Sequence, residues 1–356
     1  MMFGVLDRYL ARQVIAGSLL VALLLAALSS FLVLVGQMDD FQGTYGISEA
    51  IQFTLLSMPQ QVYELMPMSV LLGSLLGLGN LAAGNELMVM RAAGISTVRL
   101  GRSSLLGGLV LALLTAGLGE FVAPNAEQSA SALRTSARMN RISYLARGGV
   151  WARDGQFVFN VQQMLDADRL KGVSLYELGE GARIKRMLVA EEAVADPDGG
   201  WQLLDVAETV IDEERIESRR HDRLAWRSLL DTQLLRLFVV DPDKLSLRGL
   251  SEYTDFLSRN QLDVRSYKHA WWQRAIMPLS IIVMVVLALP FVFGPLRTVG
   301  TGQRVMFGVL IGVVFYIVNL TAGQVGIVFS MPAFLSAGLP TALTALLALH
   351  FLRRVP

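Results

Sequence analysis

The sequence predicts a polytopic α-helical membrane protein with six transmembrane helices, three on each side of an inserted all-β, jelly-roll-like domain. Three observations predict it. No Asp, Glu, Lys or Arg occurs in 13–38, 65–85, 103–119, 275–296 or 305–352. Residues 125–270, by contrast, hold 44 of the 61 charged side chains. Within that charged block the apolar residues recur every second position, the period of a strand and not of a helix.

A bilayer core is crossed by about 20 apolar residues. The first four charge-free runs are therefore one span each, and the last is long enough for two, with a break expected near Gly323–Pro332. The first run is longer than the roughly 7–15 apolar residues of a signal peptide and has no convincing cleavage site, so it reads as a retained helix. Basic residues in short loops orient the bundle. With the N-terminus inside, the inner set is Arg8, Arg12, Arg91, Arg99, Arg102, Arg297, Arg304, Arg353 and Arg354, whereas the short outer loops 36–50 and 323–332 contain no Lys or Arg. The insert then lies outside, which in a bacterium is the periplasm, with both termini in the cytoplasm. Its own charge is no objection, because long domains cross regardless of charge.

The insert alternates. Val150-Trp151-Ala152 and Phe157-Val158-Phe159 flank Asp154-Gly155, a hairpin signal. Val173, Leu175 and Leu178 precede Gly179-Glu180-Gly181. Met187 and Val189 precede the turn 196–200, and Trp201, Leu203, Asp205, Ala207, Thr209 and Ile211 follow it at strict period two. Short strands with regular turns suggest a sandwich or an open jelly roll. Helical connectors are expected at both ends, over Asn125–Ser143 and Ser246–Tyr267.

Composition excludes several functions. The chain is 53% hydrophobic and 17% charged, against roughly 25% charged in soluble domains. A net charge of +1 gives no support for nucleic-acid binding. With no cysteine there are no disulfides or thiolate metal sites. His221, beside Arg219 and Arg220, reads as a solvated surface residue. His269 has no catalytic companion either, and no phosphate-binding G-x-x-x-x-G-K-[ST] loop is present. Intramembrane acid is nearly absent. Glu64, between Pro59 and Pro67, reads as an interfacial group on a kinked helix, so proton coupling has no support. Ser69, Gly73 and Gly77 in span 2, and Gly308 and Gly312 in span 5, form faces on which helices approach closely.

Two short segments are suggestive. Asn85–Gly94 reads as a helix in the inner loop between spans 2 and 3, with Asn85 as its cap, Glu86 in its first turn and Gly94 at its end. Leu87 and Met90 share a face with Arg91 close by. The plain reading is an interfacial connector. The sharper one is a plug for an apolar notch on a cytoplasmic partner, with Glu86 paired to a basic residue there. Arg134, Arg138 and Arg141, spaced four and three apart, share one face beyond span 3. They are either a solvated helix face that snorkels to headgroups or a clamp for phosphate.

The whole chain resembles the lipopolysaccharide export permeases of the LptF/LptG family, and the G-type most. The resemblance is carried by Gly4–Tyr9, Pro67–Gly73, Asn85–Gly94, Val122-Ala123-Pro124, and Phe293–Arg297 with Arg304. It implies the permease of an ATP-driven (ABC) exporter that extracts lipopolysaccharide from the outer leaflet of the Gram-negative inner membrane and passes it to a periplasmic bridge. The expected partners are a homologous F-type permease in a heterodimer, a cytoplasmic ATPase dimer and a single-span LptC-type subunit. ATP and Mg are expected on the ATPase, and no cofactor on this chain. The resemblance assigns ATPase coupling to the segment holding Glu86, Leu87, Met90, Arg91 and Gly94. It assigns substrate contact to Arg134 and Arg138, to Phe31 and Val33 in span 1, and to Phe315, Tyr316 and Asn319 in span 5. Family members have lysines near the outer end of span 1, where this chain has Val33, Asp39 and Asp40. Either Arg134 and Arg138 replace that clamp or the companion supplies it.

The expected division is 1–124 for spans 1–3 with a coupling helix at about 85–95, 125–270 for the periplasmic insert, and 271–356 for spans 4–6. Two alternatives are weaker. A permease of another ABC-type lipid or lipoprotein exporter usually has its large outer domain after span 1 of four. A lipid-modifying enzyme needs a nucleophile or metal cluster at headgroup depth, for which no residues stand out.

Overall fold

The first four charge-free runs each fall largely in one helix and the fifth forms two. The structure, a computed structural model, describes residues 4–38, 46–138, 150–154, 157–166, 169–179, 183–196, 200–211, 215–226, 242–259, 263–293 and 300–354. The first half contains α1 (Val5–Met38), α2 (Ile47–Ala83), a short α3 (Glu86–Ala92), α4 (Thr97–Gly117), a π-turn (Leu118–Val122) and α5 (Ala123–Arg138). Strands β1 (Val150–Asp154), β2 (Phe157–Asp166), β3 (Arg169–Leu178), β4 (Ile184–Ala195), β5 (Trp201–Ile211) and β6 (Ile216–Trp226) follow. A 3₁₀ turn (Pro242–Lys244) leads into α6 (Leu247–Arg259), α7 (Arg265–Phe293), α8 (Thr301–Val328) and α9 (Ala333–Arg353). Among the described residues, six helices are long and apolar enough to cross a membrane: α1, α2, α4 continued into α5, α7, α8 and α9, hereafter spans 1 to 6.

The strands form one six-stranded antiparallel sheet in the order β1-β2-β3-β4-β5-β6, a meander that short turns alone can build. Its core holds Phe159, Val173, Leu175, Trp201, Leu203 and Val206. The strict alternation expected for β5 breaks at Asp205, which adopts φ 50°. The buried set is therefore Trp201, Leu203 and Val206, not Trp201, Leu203 and Ala207. The same slip crosses β3, where Gly172 has φ 65° and the buried residues change from Leu170 to Val173. Gly172 and Asp205 drop out of the pairing while register is kept on either side. A left-handed residue turns the next side chain to the opposite face, so the sheet creases while its apolar surface stays on one side.

In the bundle, small residues set the contacts. A Cβ on Gly17 would meet the carbonyl oxygen of Gly73 at 2.3 Å, and one on Gly77 would meet that of Gln13 at 2.5 Å. Spans 1 and 2 thus touch backbone to backbone. On the other flank, Gly308 and Gly312 of span 5 lie under Leu72 and Met68 of span 2. Leu72 and Gly73 are chain neighbours, so span 2 is held between spans 1 and 5. Burial follows this order: 78% of the span 2 apolar window is buried, against 17% for span 1 and 11% for span 5.

The break between spans 5 and 6 falls at Phe329–Pro332, at the far end of the expected 323–332. Gly323 stays helical because it packs under the His269 ring, where a Cβ would lie 2.7 Å from Nε2. His269 Nδ1 also pairs with Ser336 Oγ at 3.0 Å, so this buried histidine joins spans 4, 5 and 6. Nor is His221 simply a solvated residue. Its Nε2 lies 2.7 Å from Glu208 Oε2, and Arg186 Nε donates to Glu208 Oε1 at 2.6 Å.

Candidate functional site

Two surfaces stand out: the exposed walls of spans 1 and 5, and the short helix α3 with what holds it.

On span 1, Leu20, Leu24, Leu28, Phe31 and Leu32 are more than half exposed, and on span 5 so are Leu310, Val314, Tyr316 and Ile317. Of the residues predicted for substrate contact, Phe31 and Tyr316 lie on these surfaces. Val33 and Asn319 are half-buried. Phe315 is half-buried too and packs against the main bundle core. Arg134 and Arg138 belong to α5, but their side chains lie outside the described residues, as do Asp39, Asp40 and Arg141 entirely. The structure thus brings Phe31 and Tyr316 onto the two walls that flank span 2, and it does not place the basic clamp. An apolar cavity of about 390 Å³ also opens between spans 5 and 6, lined by Ile317, Thr321, Val325, Leu335 and Leu339.

Helix α3 is built by its backbone. Asn85 makes no side-chain cap and instead adopts φ 60°, a conformation that Asn tolerates better than most residues. Gly94, at φ 87°, ends the segment. Leu87 is 4% exposed and Met90 packs beside it on the bundle core. The apolar groups turned outward are Met88 and Val89, 44% and 67% exposed. The spacing of Leu87 and Met90 therefore marks the face that seats the helix, and the two residues between them make the outer surface. Exposed Arg91 and Gly94 sit at the far end. A cavity of about 310 Å³ separates α3 from the end of span 4, lined by Ala82, Leu87, Met88, Arg91, Val292 and Phe293.

Polar bonds tie span 1 to both sides of this helix. The Tyr9 hydroxyl donates to Glu86 Oε2 at 2.8 Å. Asp7 accepts from Arg99 Nη2 at 2.9 Å and from Ser103 Oγ, both in α4.

The sequence reading missed Arg274. It lies one residue before the charge-free run of span 4 and is 7% exposed. Its position just inside Trp271-Trp272, where aromatic rings mark a membrane interface, is the signal that could have found it. Arg274 Nη1 donates to the Gly119 carbonyl and Nη2 to that of Asp243 at 2.9 Å, and the guanidinium lies 5.0 Å from the centre of the Tyr63 ring.

Six spans, a sheet inserted after the third and a short helix between the second and third make up the described architecture. The family model for the lipopolysaccharide export system permease LptF/LptG matches residues 8–354.

The chain belongs to this family.

It is 35% identical over 355 residues, 99% of both chains, to the lipopolysaccharide export system permease protein LptG of Escherichia coli strain K12. It is 32% identical over 344 residues, 96% of both chains, to the LptG protein of Haemophilus influenzae strain Rd. The chain is thus a lipopolysaccharide export permease similar to the G-type, a transport subunit and not an enzyme. The alternative, a permease of another lipid or lipoprotein exporter, does not fit this family.

Proposed function

We propose that this chain forms one half of an apolar chamber in the Gram-negative inner membrane, completed by a homologous F-type permease and driven by a cytoplasmic ATPase dimer. The single observation that carries the reading is the bareness of spans 1 and 5, 17% and 11% buried, while span 2 between them is enclosed. Lipid tails alone can cover such walls, but two of them flanking one buried helix also fit the lining of a shared cavity. Each acyl CH₂ taken from a leaflet costs about 0.8 kcal/mol unless another apolar surface replaces it. The leucines of span 1 and the valines of span 5 supply that surface, with Phe31 and Tyr316 facing the chains and Val33, Phe315 and Asn319 behind them. Arg134 and Arg138 hold the phosphates as bidentate donors.

Both termini and α3 face the cytoplasm, and the sheet faces the periplasm, as the arginine count requires. ATP and Mg bind the ATPase and not this chain. Met88 and Val89 enter an apolar notch on the ATPase, and Glu86, with its second carboxylate oxygen, meets a basic residue there. Closure transmitted through α3 narrows the chamber and expels the lipid toward a single-span LptC-type subunit and a periplasmic bridge. The division at 1–124, 125–270 and 271–356 follows the same plan.

The test is photocrosslinking in cells with p-benzoylphenylalanine in place of Phe31 or Tyr316, and in place of Leu113 on span 3 as a control. Lipopolysaccharide adducts at the first two positions and none at the third are expected. Equal labelling at all three defeats the chamber. Arg134→Glu is expected to reduce the Phe31 adduct severalfold, and an unchanged adduct removes the clamp.

A further inference from the structure

We infer that Arg274, together with the adjacent pair Gly119 and Glu120, sets the orientation of the inserted sheet on the membrane bundle. Arg274 is then a positioning residue for passing lipid from the membrane walls to the sheet. The transfer part rests on the exporter reading above. The orientation part does not.

Three elements meet at this one guanidinium. In an α-helix the carbonyl of residue 119 would accept an amide four residues on. The π-turn at Leu118–Val122 loosens that ladder, as π-turns do at functional joints, and the Gly119 carbonyl accepts from Arg274 Nη1. Nη2 reaches the Asp243 carbonyl in the turn where the chain returns from the sheet. Gln60 Nε2 of span 2 donates to the same carbonyl at 3.1 Å. Gly119 must be glycine for this approach, because a Cβ would lie 2.3 Å from Tyr63 Cε2.

Glu120, the next residue, caps the helix that follows the turn. Its Oε2 accepts the backbone N–H of Leu247 at 2.9 Å, the first residue of α6, where the helix dipole favours an acid. Seven residues further along span 3, buried Glu127 accepts from Lys244 Nζ at 2.7 Å. The turn 242–244 is therefore fastened to spans 2, 3 and 4 together.

α6 carries the fastening to the sheet. Phe256 packs on the sheet core and stacks with Tyr253 at 6.2 Å. Tyr253 meets Tyr267 of span 4 edge-on at 4.5 Å, and Trp271 Nε1 donates to Ser251 Oγ at 2.9 Å. A helix clamped at its first turn by Glu120 and along its length by span 4 is a strut. Through Phe256 its angle bears on that of the sheet. A lysine at 274 keeps the charge but lacks the planar fork that reaches two carbonyls at once.

The chain has no cysteine, so paired spin labels report this angle without background. The first pair is Ser218→Cys on β6 and Leu339→Cys on span 6, and the control pair is Leu113→Cys and Leu339→Cys within the bundle. In the purified full chain, Arg274→Gln and Arg274→Lys are both expected to widen the first distance distribution at least twofold and leave the control pair unchanged. In the assembled exporter, both are expected to reduce lipopolysaccharide transfer to a periplasmic acceptor at least fivefold, with ATP hydrolysis held within twofold. An unchanged first distribution, or one that widens equally in the control pair, overturns the proposal. If Arg274→Gln does not fold, Glu120→Ala decides, since its partly exposed carboxylate holds the backbone N–H groups of the strut's first turn, and an unchanged first distribution there likewise overturns the proposal. A wild-type exporter that transfers no lipopolysaccharide would instead count against the exporter reading and leave the distance measurement standing.

Discussion

Tyr9 in the second turn of span 1 donates its hydroxyl to Glu86 Oε2 at 2.8 Å, across 77 residues of chain. Glu86, for which ATPase coupling is proposed, is thereby joined to span 1, whose outer surface is bare. Asp7, bonded to Arg99 and Ser103, fastens the same end of span 1 to span 3. A displacement of α3 therefore either strains or breaks its one side-chain bond to span 1.

Tyr9→Phe removes the hydroxyl, and with it the bond to Glu86 and a weaker one with Gln13. A net hydrogen bond is worth about 1 kcal/mol, near a fivefold change in an equilibrium. The expected outcome is unchanged co-purification with the ATPase and a severalfold loss of lipid exported per ATP consumed. Glu86→Arg is expected to abolish ATPase association as well.

Leu87 and Val89 should separate seating from docking. Leu87→Ala opens a hole under α3 and is expected to cost about 2–5 kcal/mol, seen as a lower unfolding temperature in detergent. Val89→Glu, on a side chain 67% exposed, is expected to leave that temperature within about 1 °C, since such surface changes stay within about 0.5 kcal/mol, and to release the ATPase. Co-purification beside thermal unfolding checks both.

Gly73→Ala forces a methyl group to within 2.2 Å of the Ser18 backbone nitrogen. Spans 1 and 2 must part, and overpacking of this kind costs about 1–3 kcal/mol. Gly36→Ala, with nothing within 4 Å, is the control and is expected to be neutral or slightly stabilising. Folded yield from membranes separates the two.

Acid should loosen the sheet through Glu208. Burial pulls this carboxyl up, but the His221 hydrogen bond and Arg186 pull it down by more, so it lies below its ordinary 4.5. A depressed carboxyl adds stability above its unfolded value and loses it as pH falls through the folded one. Asp263, bonded to Arg265 and brought from 3.8 down to about 2, behaves likewise, with its loss falling between those two values. The denaturation midpoint is expected to fall as pH drops below about 4.5, and Glu208→Gln should flatten that acid limb. Midpoints at pH 7, 4 and 3 in both proteins test it.

Much of the fold was legible because the bilayer forbids unpaired charge. The runs without Asp, Glu, Lys or Arg had to be helices, and the alternation in 150–211 had to be strands. The crease at Gly172 and Asp205 was not legible, because a left-handed residue in mid-strand leaves no mark in hydropathy. At the site, Phe31 and Tyr316 stand on exposed faces of spans 1 and 5, whereas Leu87 and Met90 seat α3 and leave Met88 and Val89 outside. Periodicity finds an apolar pair but does not say whether the chain itself or a partner covers it. Arg274 was overlooked because hydropathy counts a charge at the edge of a run as loop, even when carbonyls from two other elements hold it inside.

By itself the sequence determined six crossings and the place of the sheet between spans 3 and 4, since both follow from the cost of charge in hydrocarbon. Only tertiary structure decided that span 2 is the enclosed helix between two bare walls, that Tyr9 holds Glu86, and that Arg274 and Glu120 fasten the strut. Those relations join residues 77 to 155 positions apart, and they form only when packing in three dimensions brings a donor within reach of its acceptor.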